Sequence, residues 1–423
     1  MHADPQTPGA PVCSAQEHIT ALVLDSRYRS STKLHIQIFF LAFAFALVHG
    51  PGPGVGFGHG FETIAIARSL VHSGSFADPF GQPTGPTAHT GPIFPVFLAL
   101  NFHIFGDGPG ILWSLVLFSC AFLALEAVLV FRLASTHFRS LRAGYAAAVL
   151  AVVALPNQPN LESVYVACGM LAFVLTIDTA RPLFSGGLAG LLALLSESSL
   201  AFTVPVLACQ AVRRRNYRFL LSASLSLLAS ILPWTVRNSV ALGYPVLIRD
   251  NLGLELYVAN NDEVSRGASF IALHPAYNQA ELEAVRRQGE VPYNASCMQA
   301  ARRWIVNHPK NFARLTAMRI GAFWFPSTNY WACLVTALGI AGLFAESRSA
   351  LRFVWLAAAI FYPVVYYFVQ TDTQTYRYTV LWACIVPAAG LLDRTLAMLS
   401  RGRGFGPRKL GDLRKNWNCR TNA

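Results

Sequence analysis

Charge is what this sequence lacks. Only 13% of its 423 residues are Asp, Glu, Lys or Arg, against 54% hydrophobic residues and a mean hydropathy of +0.42. A soluble domain carries about a quarter charged residues, so a soluble globular class is excluded. Metal-type cysteine spacing is also missing. The eight cysteines (Cys13, Cys120, Cys168, Cys209, Cys297, Cys333, Cys384 and Cys419) form no CxxC pair, and five lie in apolar runs. That pattern fits small residues packed between helices rather than a zinc site. No A-x-A-like cleavage site follows the first apolar run. The 33 residues before it are polar and include Arg27, Arg29 and Lys33, so an uncleaved tail is expected. There is no internal repeat, and no biased tract beyond the Gly/Pro-rich 51–60 and a basic tail.

What the sequence has is apolar runs, at 34–49, 111–133, 143–156, 162–178, 183–199, 200–212, 219–236, 329–345, 353–370 and 378–397. These predict a chain that crosses a membrane about ten times. The formal charge of +12 lies largely in clusters between those runs: Arg132, Arg139 and Arg142; Arg181; Arg213–Arg215 with Arg218; Arg348 and Arg352; and the tail from Arg401. Positive charge is retained on the cytoplasmic side, so the clusters encode topology and not nucleic-acid binding. Ten spans with both termini inside place every cluster in the cytoplasm. One apolar stretch, 92–105, would invert the later clusters if counted as a span. Its Pro92, Pro95, Asn101 and His103 suit an interfacial or re-entrant helix instead. The outward stretches are then 50–110, 157–161, 237–328 and 371–377.

The expected organisation is a cytoplasmic tail (1–33), a transmembrane core (34–238) with its first outer loop at 50–110, an extracytoplasmic lobe (239–312), C-terminal spans (313–397) and a basic cytoplasmic tail (398–423). The fold class is an all-α polytopic membrane protein with outer-face juxtamembrane helices and a small helical lobe.

Titratable residues concentrate in the outer stretches. Glu62 opens an apolar helix, where the helix dipole favours a carboxylate able to accept a proton; an ordinary first-turn acid is the competing reading. His59, Asp78, His89 and His103 share its loop, with no standard zinc or calcium spacing. Glu162 follows the short second outer loop, in the run NQPNLE. Arg237 and Arg377 stand at outer ends of spans, where they would meet lipid headgroups or a lipid-linked phosphate.

In order along the chain come an acid before I-A-R-S-L at 66–70, the G-P-T-A turn at 85–88, and a proline-led apolar helix ending in F-G at 105–106. P-W-x-x-R-N follows at 233–238, N-L-G-L-E-L-Y at 251–257, Asn260 with Asn261, Gly289 with Glu290, His308 with Pro309, and Arg377 with Tyr378. This series, covering about 34–397, resembles the GT-C superfamily of membrane glycosyltransferases, particularly bacterial relatives of the protein mannosyltransferases and lipid A aminoarabinose transferases. The resemblance implies a GT-C-like bundle in a bacterial inner membrane, with its active site facing the periplasm. It implies transfer of a sugar from a polyprenyl-phosphate carrier, with inversion, to a hydroxyl on an envelope glycan, lipid or protein. Glu62 becomes the candidate catalytic acid, Arg237 and Arg377 the candidate phosphate-binding residues, and Glu162, His59 and His89 the candidates to assist acceptor or metal.

In the branches with an Asp-Glu pair, counting back from Arg68 brings His59 to the acidic position. Relatives with an aromatic-Glu pair fit Glu62, so two positions compete. No cofactor is identified, and a divalent metal is compatible with the chemistry. A transporter or flippase of a lipid-linked sugar, or a non-catalytic relative, is the alternative. Against transport stand the absence of repeat symmetry and the gathering of acids in outer loops.

Overall fold

The computed structural model describes residues 32–50, 60–155, 162–177, 181–346, 350–369 and 374–402. His59, the second outer loop at 157–161, most of the two terminal tails and part of 371–377 lie outside the described residues. Among the described residues there is no strand, only an isolated antiparallel bridge between Ala77 and Pro86.

The apolar runs form helices where hydropathy places them. In chain order these are α1 (Thr32–His49), α2 (Phe61–Ser73), α3 (Ile93–Phe105), α4 (Pro109–Phe138), α5 (Leu141–Ala154), α6 (Glu162–Thr176), α7 (Pro182–Leu195), α8 (Leu200–Arg213) and α9 (Tyr217–Leu242). After them come α10 (Leu252–Ala259), α11 (Gln279–Gln288), α12 (Glu290–Asn307), α13 (Pro309–Trp324), α14 (Tyr330–Ala345), α15 (Ala350–Ile360), α16 (Val364–Val369), α17 (Gln374–Arg377) and α18 (Trp382–Gly402). Five helical stretches are long and apolar enough to cross a membrane: Thr32–His49, Pro109–Phe138, Tyr217–Leu242, Arg352–Val369 and Trp382–Ser400. Five more are apolar but shorter, among them α5, α6, α7 and α14. The protein is thus an all-α polytopic membrane protein. Of the ten apolar runs, nine coincide with these ten segments, the tenth segment being α3, while the run 200–212 forms the less apolar α8.

Side-chain pairs show how the helices alternate. At the start of α14, Asn329 donates to Ala154 O at the end of α5 (3.4 Å). At the far end of α14, Glu346 meets His137 of α4 and Arg394 of α18, and Arg142 pairs with Asp393 at 3.0 Å. The lobe end and the basic end of the bundle are therefore opposite.

The short α3 stays at the lobe end. Its 13 residues make it about as short as α5 and α7, so the position of its two ends, not its length, sets it apart. Gly91, just before it, packs on Leu194 O at the lobe end of α7, and Asp107, just after it, pairs with Arg68 of α2 at 3.1 Å. Phe94, Leu98 and Phe102 pack with Ile64, Ala67, Ile111 and Leu115, while Val96, Leu100 and Ile104 are exposed. An apolar helix with both ends on one side agrees with the interfacial reading.

Helix contact relies on small residues. A Cβ placed on Gly186 of α7 would stand 2.0 Å from Ala223 O of α9, and one on Gly190 would stand 2.6 Å from Ser230 Cβ. Backbones approach this closely only at small residues, the usual means of helix association in lipid. Gly186→Val is expected to push α7 off α9 and to destabilise by about 1–3 kcal/mol, read as a lower melting midpoint in detergent.

The lobe is tied to the first loop. Phe80 is buried with Leu254, Val258, Leu282, Val285, Tyr293 and Cys297 of α10, α11 and α12, so a loop aromatic completes the lobe core. Asn278 caps α11 by accepting from Ala280 N and Glu281 N.

Candidate active site at the lobe end of the bundle

α2 begins at Phe61, and its first turn carries Glu62. The Glu62 carboxylate lies 3.5 Å from His274 Nε2, while Ala276 N donates to His274 Nδ1 at 3.3 Å and fixes the ring from behind. The ring of Phe80 packs against both His89 (5.3 Å) and His274 (5.6 Å), and Phe61 packs edge-on to His274 (5.5 Å). Glu62, His89 and His274 bring one ligand-type atom each within 4.8 Å of one another.

The environment sets protonation. Burial, reinforced by the negative charge of Glu255, pushes the Glu62 carboxyl up to about 7, although Arg249 pulls the other way. Burial lowers His274 to about 4. Burial, then Arg249 and His274, hold His89 well below the ordinary histidine value. Both imidazoles are accordingly neutral across the physiological range, and Glu62 is poised between acid and base.

Arg249 is the cation of the site. It lies between α9 and α10, with Glu197, Glu255, Tyr376 and Tyr366 in electrostatic reach. Burial alone would lower it, and those groups raise it above the ordinary arginine value. Glu162, at the start of α6, also feels its charge. Yet Arg249 makes no contact ion pair among the described residues, and its Nε is buried without a hydrogen-bond partner among them. Glu62, Glu162, Glu197 and Glu255 all feel the charge of Arg249, and all five residues keep partial solvent access. Beside them Tyr366 stacks on Tyr376 at 4.2 Å and donates to Ser198 Oγ.

Of the residues singled out in the sequence, Glu62, His89 and Glu162 come together here, and His59 lies outside the described residues. Arg237 commits its guanidinium to the first loop: it donates to Thr87 O (2.6 Å) and Phe76 O (2.7 Å) and stacks over the rings of Trp234 and Phe76. Arg377 is fully buried, donates to Phe323 O and lies over the Tyr378 ring. Sequence reasoning passed over Arg249, His274, Tyr366 and Tyr376. The His274-Pro275 and Arg249-Asp250 steps carry no spacing that marks a site, and Tyr366 and Tyr376, beside Tyr367 and the Arg377–Tyr378 pair, look like interfacial aromatics.

The P-W-x-x-R-N block places Arg249. Trp234 Nε1 donates to Ile248 O at 2.8 Å, and Asn238 Nδ2 donates to Ile248 O (3.1 Å) and Val246 O (3.4 Å). One face of α9 thus holds the segment ahead of Arg249.

No family model matches the chain, and no curated protein matches it. Among solved structures it is similar to the apo crystal structure of the Archaeoglobus fulgidus oligosaccharyltransferase, at 15% identity and a TM-score of 0.52. The match covers 88% of this chain and 52% of that one, so the chain spans about half the length of the structure it matches. The likeness is one of fold: an all-α bundle of the GT-C type, which the order of motifs in the sequence led us to expect.

Proposed function

We propose that the protein is a glycosyltransferase that moves a sugar from a polyprenyl-phosphate carrier to an acceptor hydroxyl, at the lobe end of the bundle and on the outer face of a bacterial inner membrane. The observation that carries this reading is Arg249, a largely enclosed guanidinium faced by carboxylates that do not close on it, whose charge acts on a carboxylate poised near neutrality.

Attack on an anomeric carbon requires the acceptor hydroxyl to lose its proton as the new bond forms. Glu62 takes that proton, and His274 orients its carboxylate. The bond to the carrier phosphate breaks on the opposite face of the sugar, which inverts the anomeric configuration. Arg249 faces the charge that develops on the departing phosphate. This assigns the phosphate to Arg249 and leaves Arg237 and Arg377 as holders of backbone. Glu162 and Glu255, which feel the Arg249 charge, contact acceptor or sugar hydroxyls, and the stacked Tyr366 and Tyr376 offer an apolar face to a sugar ring.

A divalent metal fits the residues. Two neutral imidazoles and a carboxylate are ligands suited to zinc-type ions, and 3.5 Å between Glu62 and His274 is close to the spacing of about 3.3 Å between ligands on a tetrahedral ion. His274 would bind through Nε2 with its proton moved to Nδ1, at the expense of the Ala276 N bond. Glu62, His89 and His274 would hold it, and when bound it would supply Lewis-acid stabilisation of phosphate charge. A Glu62 carboxylate committed to the ion would not serve as the base, so the role of base and the inflection near 7 belong to the metal-free protein. Purified protein is expected to take up zinc or cobalt stoichiometrically, and His274→Ala to lower that affinity by about 10-fold or more. Elemental analysis after dialysis checks this.

The functional reading is tested by supplying a polyprenyl-phosphate sugar to the purified protein in liposomes. Acceptor-dependent release of polyprenyl phosphate, with inversion seen by NMR of the product, is expected. Donor that crosses the bilayer chemically unchanged would instead indicate transport.

A further inference from the structure

Two motifs of the sequence have no place in the chemistry above: the G-P-T-A turn at 85–88 and the Gly289–Glu290 pair. The fold brings them into contact across the seam between the first loop and the lobe. Gly289 has φ 80°, in the left-handed region that favours glycine, and there the chain turns into α12. Glu290, the first residue of α12, accepts from the Thr87 hydroxyl through Oε2 and from Ala88 N through Oε1 at 2.7 Å. The Thr87 hydroxyl is used in both directions, because His89 N donates to it at 2.9 Å. Ala88 O accepts from Asp250 N at 2.8 Å, and Thr87 O takes Arg237. Thr87 and Ala88 are fully buried and His89 nearly so.

A carboxylate that accepts a backbone N–H and a hydroxyl together makes strong, directional bonds. These bonds end on the residues just before His89. The Ala88–Asp250 bond continues the chain of contacts to the residue after Arg249, and Asn294 of α12 holds the Asp250 carboxylate at 2.5 Å. We propose that Thr87 and Glu290 are a positioning pair that fixes His89 against Glu62 and His274 and, through Ala88 and Asp250, sets the segment carrying Arg249. The pair touches no reacting atom. Its effect on rate rests on the functional reading above; its effect on His89 does not.

The test uses the full chain and three substitutions. Thr87→Val keeps the volume and removes the hydroxyl, Thr87→Ser keeps the hydroxyl, and Glu290→Ala removes the acceptor. Diethylpyrocarbonate modification is followed by peptide mass spectrometry at His89, with the exposed His103 as internal reference. Thr87→Val and Glu290→Ala are each expected to speed labelling of His89 by about 10-fold, with His103 unchanged and the double variant no worse than either single one. Thr87→Ser is expected to behave as wild type. In the transfer assay the same two variants are expected to lower kcat by about 10-fold, with Thr87→Ser rescued. If Glu290→Ala fails to fold, Glu290→Gln, which keeps one carbonyl oxygen for Ala88 N, takes its place with a smaller expected effect. Unchanged His89 labelling in Thr87→Val, or Thr87→Ser as disruptive as Thr87→Val, would overturn the proposal. A wild-type protein that transfers no sugar would overturn the functional reading, while the labelling would still decide whether the pair positions His89.

Discussion

Glu62→Gln is expected to lower kcat for sugar transfer by about 10²–10⁴-fold, the range of general-base assistance, with little change in donor affinity. The amide keeps the size of the side chain and cannot take the acceptor's proton. The pH dependence gives the assignment its sign. Glu62 acts as a base only when ionised, and burial raises its carboxyl to about 7, so activity should climb as pH rises through 7. Neither histidine supplies that inflection, because burial lowers His274 to about 4 and holds His89 well down as well. Linkage adds a stability test. An acid whose pKa is raised by folding binds its proton more tightly in the folded state, so Glu62 costs stability as pH rises from about 4.5, its ordinary value, to about 7. The glutamine variant avoids that cost. It should melt no lower than wild type at pH 8, and a lost activity would then not be a lost fold. An activity inflection that persists near 7 in Glu62→Gln would assign the base elsewhere.

Arg249→Met is expected to weaken donor binding by about 10- to 100-fold, the loss of a charge-assisted hydrogen bond to the phosphate. A second effect follows from the same charge. Arg249 pulls the Glu62 carboxyl down, so its removal should move the activity inflection above 7. Arg249→Lys keeps the charge and should hold the inflection near its original place, while losing the bidentate geometry and part of the affinity. Titration of the Arg249→Met variant with a non-hydrolysable donor analogue separates the two effects. Unaltered affinity together with an unmoved inflection would remove Arg249 from the site.

Much of the bundle was legible because one physical quantity, apolar length, encodes it. Helices α1, α4 and α9 begin within two residues of their runs, and α3 was set apart from the spans by the arginine clusters together with its own Pro92, Pro95, Asn101 and His103. Ends were less legible. α4 continues to Phe138, past the run ending at 133, because Arg132 and His137 near its basic end retain the helix while their polar groups reach the Glu346–Arg394 cluster or the boundary.

The site was legible only in part. Glu62 and His89 could be found because they share a short loop with other titratable residues. Arg249, His274 and Glu255 could not, because their proximity comes from the docking of the lobe on that loop through Phe80, Glu290 and the Ala88–Asp250 bond. The recurrent motifs mark the parts that enforce this docking. Arg237 grips loop carbonyls and Asn238 holds the segment before Arg249. Asn260 donates to Phe368 O beside Arg319, which donates to Asn260 Oδ1 and Phe368 O. A backbone carbonyl as partner leaves no complementary residue in the sequence, so a motif of this kind announces that something is held without showing what.

In the proposed mechanism a lipid-linked sugar binds between Glu62 and Arg249. A structure of the Glu62→Gln variant bound to a polyprenyl-phosphate sugar tests it most directly. The phosphate is expected in hydrogen-bond contact with Arg249 and the anomeric carbon turned toward position 62; a donor headgroup seated at Arg237, at Arg377 or at the basic end of the bundle would rule this mechanism out.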